Sequence, residues 1–211
     1  MDENRIVRND MLSKKIIKGL KERNMTGYYA HTKEEALQLA LSLIPEGSTI
    51  SRGGSMSCNE IGLTQALEQG NYQFTNREKL SGDEKLKAEI AAYSADVFIG
   101  SVNAITEDGV LVNIDGNANR VSAYAYGPKK LVLIVGMNKV TRDTDAALKR
   151  ARNEAATINA QRFPIKTPCK STGSCFDCKT PDTICCQFLI TRYSKHAGRI
   201  HVILVNDQLG F

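Results

Sequence analysis

The chain has no tryptophan and only 6% aromatic residues, so it lacks the stacking surfaces that a nucleic-acid binder interleaves with positive charge. Its net charge of +5 is modest, and the densest basic run, Lys14, Lys15, Lys18, Lys21 and Arg23, follows one helical face. Nucleic acid is therefore not an expected partner. No apolar run approaches the ~18 residues of a membrane-crossing helix, so no membrane span is expected. The opening residues Met1-Asp2-Glu3-Asn4-Arg5 mix charges and lead into an amphipathic segment, without the apolar stretch of a secretory signal, and the cytoplasm is the expected compartment. His31, His196 and His201 show no ligand spacing and read as structural. There is no G-x-S-x-G elbow and no Rossmann or Walker glycine spacing, which leaves activated-serine hydrolysis without support. Repeats, low-complexity tracts and linkers are also missing, so residues 1–211 read as one domain.

Cysteine is what the chain has in one place. Five of its six cysteines lie between Cys169 and Cys186, around Gly173 and Pro181, where a backbone can fold sulfurs about one centre. In a reducing compartment, clustered thiols are more often metal ligands or catalytic groups than disulfides. The spacing C-x5-C-x2-C-x6-C-C holds one close pair, Cys175 and Cys178, and so departs from the paired C-x2-C units of a zinc ribbon. It suits an iron–sulfur cluster of the [4Fe–4S] kind on Cys169, Cys175, Cys178 and Cys185, with zinc as the alternative. Cys185 and Cys186 point to opposite sides of an extended segment, so one binds and the other packs; Cys185 is the expected ligand and Cys186 its substitute. Cys58, alone near a helix start, reads as core.

Along the chain, residues 1–23 carry a first helix with an apolar stripe of Ile6, Met11, Leu12, Ile16, Ile17 and Leu20. Strands follow at Gly27–Ala30, Ser48–Ser51 and Asp96–Gly100. Capping-box signatures at Thr32, Ser57 and Ser81 open helices running to about Leu43, Gln69 and Tyr93. Asp108-Gly109 between two apolar runs marks a hairpin over Ala104–Val112. Asn117 is placed to cap a helix through Tyr126, which Gly127-Pro128 ends. Leu131–Val135 reads as the central strand, residues 143–159 as an alanine-rich helix, and Arg199–Val205 as the last strand, so residues 164–186 form an embedded cysteine loop. Alternating strands and helices predict an α/β fold, a mainly parallel sheet with helices on both faces plus an antiparallel hairpin.

Polar residues at the strand ends supply the other candidates. Gly53-Gly54-Ser55, between a strand and a helix, offers backbone N–H groups to an anion, or simply lets the chain turn. From Asn103 to Arg120, polar groups crowd beside buried strands. Turn chemistry explains Asp108, Asp115 and Asn117, but Glu107, Asn113 and Arg120 are not required by turns and are candidates for general base, orienting amide and anion clamp. Asn103, Asp115 and Lys139 complete the expected anion-binding set.

The string Ser55-Met56-Ser57 with Glu60-Ile61-Gly62-Leu63, the run Asn103 to Val121, and Gly127-Pro128-Lys129-Lys130 closely resemble the LUD-domain family of lactate-utilisation proteins. The likeness continues through Asn138-Lys139, Ala155-Ala156 with Asn159-Ala160, Thr167-Pro168-Cys169, Thr172-Gly173, Cys175, Cys178 and Leu209-Gly210-Phe211, and so covers nearly the whole chain. It implies a fold like that of ribose-phosphate isomerase, glucosamine-phosphate isomerase and CoA-transferases, with the anion site around Gly53, Gly54 and Ser55. It also implies a part in oxidising L-lactate to pyruvate beside iron–sulfur partner subunits. Two alternatives stand beside this oxidoreductase reading. One is a non-redox enzyme on a phosphorylated or CoA-linked acid, with Glu107 as base or nucleophile and a structural zinc; the other is a scaffold or regulatory subunit docking a partner through residues 1–23.

Overall fold

A computed structural model describes residues 2–211. The N-terminal stripe forms α1 (Glu3–Glu22), whose first turn is capped by the Asp2 carboxylate accepting from the Arg5 N–H. Next come β1 (Thr26–Ala30), α2 (Lys33–Ser42) and β2 (Thr49–Arg52). After β2 lie α3 (Met56–Glu60), α4 (Leu63–Gln69), β3 (Gln73–Phe74), α5 (Gly82–Ala91) and β4 (Val97–Gly100). The hairpin β5 (Ala104–Thr106) and β6 (Leu111–Asp115) leads into α6 (Asn119–Ala125), β7 (Lys130–Gly136) and β8 (Val140–Thr141). Then α7 (Thr144–Arg150), α8 (Ala156–Ala160), α9 (Pro168–Thr172), β9 (Gln187–Thr191) and β10 (Ile200–Val205) complete the order.

Six strands form an all-parallel sheet in the order β1-β10-β7-β4-β2-β3. Such a sheet must be covered on both faces, and its middle strands are accordingly apolar throughout: β7 and β10 are buried along almost their whole length. Leu131, Leu133 and Val135 point to a core shared with Ile16 and Leu20 of α1 and Tyr124 of α6. Val132 and Ile134 point to the opposite core, filled by Ala36 and Ala40 of α2, Cys58 of α3, and Leu63 and Leu67 of α4. A second, mixed sheet in the order β8-β5-β6-β9 packs Ile105 and Leu111 toward the α1 side. Its other face, with Ala104, Val112 and Ile114, meets Ala147 and Ala151 of the alanine-rich helix. The α/β expectation holds, and no helix among the described residues is long and apolar enough to cross a membrane.

Several local expectations change. Thr32 caps α2 as its sequence predicts, accepting from the Glu35 N–H, while the Glu35 carboxylate accepts from the His31 N–H. The cap of α3, however, is Ser55 rather than Ser57: Ser55 Oγ accepts from the Cys58 N–H. Ser57 is buried inside the helix, and the left-handed Gly62 (φ +78°) breaks the expected single helix into α3 and α4. Ser81 precedes α5 but makes no side-chain cap bond. Asn117 does not cap α6 either. Ala118 occupies that position at φ +62°, and the Asp115 carboxylate reaches across the turn to accept from the N–H groups of Arg120 and Val121, each at 3.0 Å. Asp143 caps the alanine-rich helix as expected in position, but residues 151–155 form a π turn between α7 and α8.

The apolar stripe of α1 is part of the core, through Ile16 and Leu20. Gly19 shows how closely it packs: a Cβ there would stand 2.3 Å from the Asp108 carbonyl oxygen in the hairpin turn, and one on Gly109 would stand 2.7 Å from the Leu20 nitrogen. Backbone meets backbone, so neither side can yield by a rotamer change. Gly19→Ala is expected to cost about 1–3 kcal/mol or more by overpacking, read as a lowered urea midpoint. An unchanged midpoint would show that the hairpin moves aside freely.

Candidate functional site

Ligands of open parallel sheets bind outside the carboxyl ends of the strands, and the chain places a cavity of about 440 Å³ there. Gly54, Ser55 and Ser57 arrive after β2, Ser101, Val102 and Asn103 after β4, Lys139 after β7, and Gly210 and Phe211 after β10. Asp115 and Arg120 close one side, between β6 and α6. Residues 163–165 with Thr183 and Ile184, from the two ends of the cysteine loop, close another.

Arg120 is held by a dense hydrogen-bond set. Its Nε donates to Asp115 Oδ1 at 2.9 Å, its Nη2 to Asn103 Oδ1 at 3.0 Å and the Ile114 carbonyl at 2.8 Å, and its Nη1 to the Ser101 carbonyl and Asn113 Oδ1, each at 3.3 Å. Its guanidinium also lies over the Tyr124 ring, 5.6 Å from the centroid. Gly53 serves this residue rather than the cavity surface, since a Cβ on Gly53 would stand 2.8 Å from Arg120 Cδ. Asn113 is fully buried, and its Nδ2 is a buried donor without a partner among the described residues.

Lys139 is the unusual group. It is 2% exposed yet lines the cavity, and its Nζ donates to Ser57 Oγ at 3.0 Å and Ser101 Oγ at 2.9 Å. Burial first, then the positive charges of Arg150 and Arg120, pull its pKa down to about 7; removing an ammonium from water favours the neutral amine. The arginines around the cavity are tied to carboxylates instead: Arg52 to Glu78 at 3.1 Å, Arg162 to Glu78 at 3.5 Å, and Arg77 to Glu89. Lining cations, Arg77, Lys85, Arg120, Lys139 and Arg162, outnumber lining carboxylates, Glu78, Glu89 and Asp115, so the cavity favours an anion.

The expected residues thus separate. Gly54, Ser55, Asn103, Asp115, Arg120 and Lys139 come together at the cavity, with Gly53 and Asn113 behind Arg120. Glu107 does not join them: it sits at the hairpin turn, where its carboxylate accepts from Lys15 Nζ at 2.6 Å. Ser101 and Arg52 were not singled out by sequence, and Ser57 was read only as a helix cap. Arg52 is 1% exposed at the end of β2, and only its position before Gly53-Gly54 hints at the junction. Cys58 behaves as core, its thiol donating to the Gly100 carbonyl and pushed up in pKa by burial.

In the cysteine loop, Cys169, Cys175 and Cys178 all lie near enough to Cys185 to raise its pKa electrostatically, and together with burial, the largest cause, they take it to about 11. Arg152, in the π turn, donates to Cys175 Sγ at 3.7 Å and pairs with Asp177 at 2.5 Å. Cys186 stands apart, exposed, with its thiol on the Thr183 carbonyl. No three of the described His, Cys, Asp and Glu side chains converge closely enough to hold a single metal ion. Iron–sulfur clusters are held by cysteine thiolates, and hydrogen bonds to the sulfurs adjust their potentials.

The chain is similar to solved proteins. A solved DUF162-family protein from Deinococcus radiodurans is 12% identical, aligned over 93% of this chain and 97% of its own at a TM-score of 0.53. The beta subunit of eIF2B from Chaetomium thermophilum aligns over 54% of this chain and 44% of its own, at 16% identity and a TM-score of 0.37. No curated protein matches the chain. The sequence profile of the LUD domain matches residues 13–205, spanning both sheets and the cysteine loop, and the chain therefore belongs to the LUD-domain family.

Proposed function

We propose that this chain is a redox subunit of a lactate-oxidising system, holding a small 2-hydroxy or 2-oxo acid in the cavity and an iron–sulfur cluster on Cys169, Cys175, Cys178 and Cys185. The observation that carries this reading is continuity: Thr183 and Ile184 form part of the cavity wall, and the next residue is Cys185. A carboxylate at the wall and the thiols behind it are thus parts of one construction. A bound iron–sulfur cluster supplies one-electron transfer.

The chain's own residues bind and orient. The excess of cations draws a carboxylate in, while the Asp115–Arg120 pair, fixed from five sides, gives the cavity a rigid wall. Lys139 Nζ, near neutrality in its proton equilibrium, can hold the proton that leaves a hydroxyl group. Converting a 2-hydroxy acid to a 2-oxo acid releases two electrons and two protons. A single one-electron centre cannot take both electrons, so the reading requires a further acceptor on partner iron–sulfur subunits.

Protein purified without air is expected to be brown, with iron and acid-labile sulfide together and little zinc. Cys185→Ser should lose the iron and Cys186→Ser should keep it. A colourless protein with stoichiometric zinc would make the loop structural and remove the electron-transfer part of the proposal.

A further inference from the structure

We infer that Lys139 is a nucleophile whose amine condenses with the carbonyl of a 2-oxo acid in the cavity, forming an imine; this rests on the cavity being a site for such an acid. A buried lysine kept for structure is ordinarily paired with a carboxylate, because an unpaired buried ammonium is costly. Among the described residues Lys139 has no carboxylate within ion-pair reach, and both of its hydrogen bonds go to serine hydroxyls. Arg150 of α7 and Arg120 of α6 also repel the ammonium. Cys58 and Glu60, both on α3, have the opposite influence, but neither outweighs burial. Desolvation beside other cations is the arrangement that makes a lysine amine nucleophilic.

The geometry also confines it. Gly210, at φ +53°, leaves room that a side chain would take, since a Cβ there would stand 2.8 Å from Ser57 Oγ and 3.4 Å from Lys139 Nζ. Phe211 follows as part of the cavity wall. The amine is thereby held at the wall, between hydroxyls arriving from β2 and β4.

The condensation balances within these groups. The nitrogen lone pair attacks the carbonyl carbon and the C–N bond forms, giving a carbinolamine. The former carbonyl oxygen takes up two protons, one from the attacking nitrogen and one delivered from solvent through a serine hydroxyl, so the product keeps one N–H and is the protonated imine, the form that cyanoborohydride reduces. The oxygen leaves as water, and the C=N bond remains. No electrons are transferred and no co-reactant is needed. The two serines suit this path because a hydroxyl both accepts and donates a proton.

The test is reductive trapping with pyruvate as the probe. Wild-type protein, incubated with pyruvate and cyanoborohydride and then peptide-mapped by mass spectrometry, should carry the reduced adduct on the Lys139 peptide. Lys139→Arg should carry none there. Trapping at Lys139 should rise several-fold between about pH 6 and about pH 8, on either side of the amine's value of about 7. Adducts spread over surface lysines such as Lys14 and Lys18, without enrichment at Lys139, would overturn the inference, and this reading needs no variant to fold. Calorimetry of pyruvate binding separates the two levels: binding without an adduct removes the imine and leaves the carboxylate cavity standing, whereas no binding removes both.

Discussion

Arg120→Ala is expected to lower the unfolding free energy by about 3–5 kcal/mol, the usual cost of removing one partner from a buried ion pair. The loss is large because of what stays behind. Asp115 keeps two backbone N–H donors but loses its counter-charge, and Asn103 Oδ1, Asn113 Oδ1 and the carbonyls of Ser101 and Ile114 lose a donor in a place that water reaches poorly. Unfilled buried acceptors carry a desolvation cost of their own. The guanidinium stem also packs on Gly53, so a void opens at the end of β2. Lysine is a poor replacement, since one ammonium cannot reproduce a planar fork reaching five acceptors; Arg120→Lys should recover only part of the loss. Urea unfolding measures both variants. An Arg120→Ala midpoint close to wild type would mean that the network is not a source of stability.

Lys139→Met should move stability the other way. The folded-state pKa of about 7 lies below the 10.5 of an unperturbed lysine. Between those values the unfolded chain binds more protons than the folded one, so wild-type stability rises with pH across that range. Below about pH 7 the full cost of the buried amine is present. Methionine fills similar volume without charge, and a gain of about 1–3 kcal/mol is expected near neutral pH, offset in part by the two serine hydroxyls left without their donor. For a chain of this size that is a rise of about 2–4 °C in Tm per kcal/mol. The gain should be greatest below about pH 7 and shrink toward pH 10.5. A lower Tm, or a difference that does not change with pH, would show that Lys139 is a stabilising cation. Stability gained together with lost reactivity is the signature of a residue kept for chemistry.

The fold was legible wherever burial leaves a mark on composition. The strands β4, β7 and β10 read as continuous apolar runs because both faces are covered, and Asp108-Gly109 announced the hairpin. The two-residue strands β3 and β8 leave too little pattern to read. β9 carries exposed Phe188 and Ile190, so its alternation does not follow a core. The cap of α3 is misplaced by sequence because Ser55 and Ser57 are two hydroxyls two residues apart; Ser55 takes the Cys58 N–H, while Ser57 accepts from Lys139 Nζ. At the site, Asn113 and Arg120 were visible as polar groups not demanded by turns, whereas Asp115 reads as a turn residue although its carboxylate accepts from the N–H groups of Arg120 and Val121. What no sequence pattern carries is burial of a particular charge: Arg52 is held by Thr64 and Glu78, and Ser57 and Ser101 meet Lys139, all distant in sequence order from the groups they serve. Glu107, equally polar, is drawn to Lys15 because the hairpin turn packs on α1.

The sheet order has a consequence for how the protein is made. β10 lies between β1 and β7, so the first strand synthesised has no partner until residues 200–205 have left the ribosome. Until β10 is made, α1 and β1 have no place in the sheet, and the cysteine loop emerges before the edge of β7 is filled. Closing it pairs segments from opposite ends of the chain, a high-contact-order step that is slow. Assembly of the cavity, which needs the segments after β7 and β10 together, depends on that slow step.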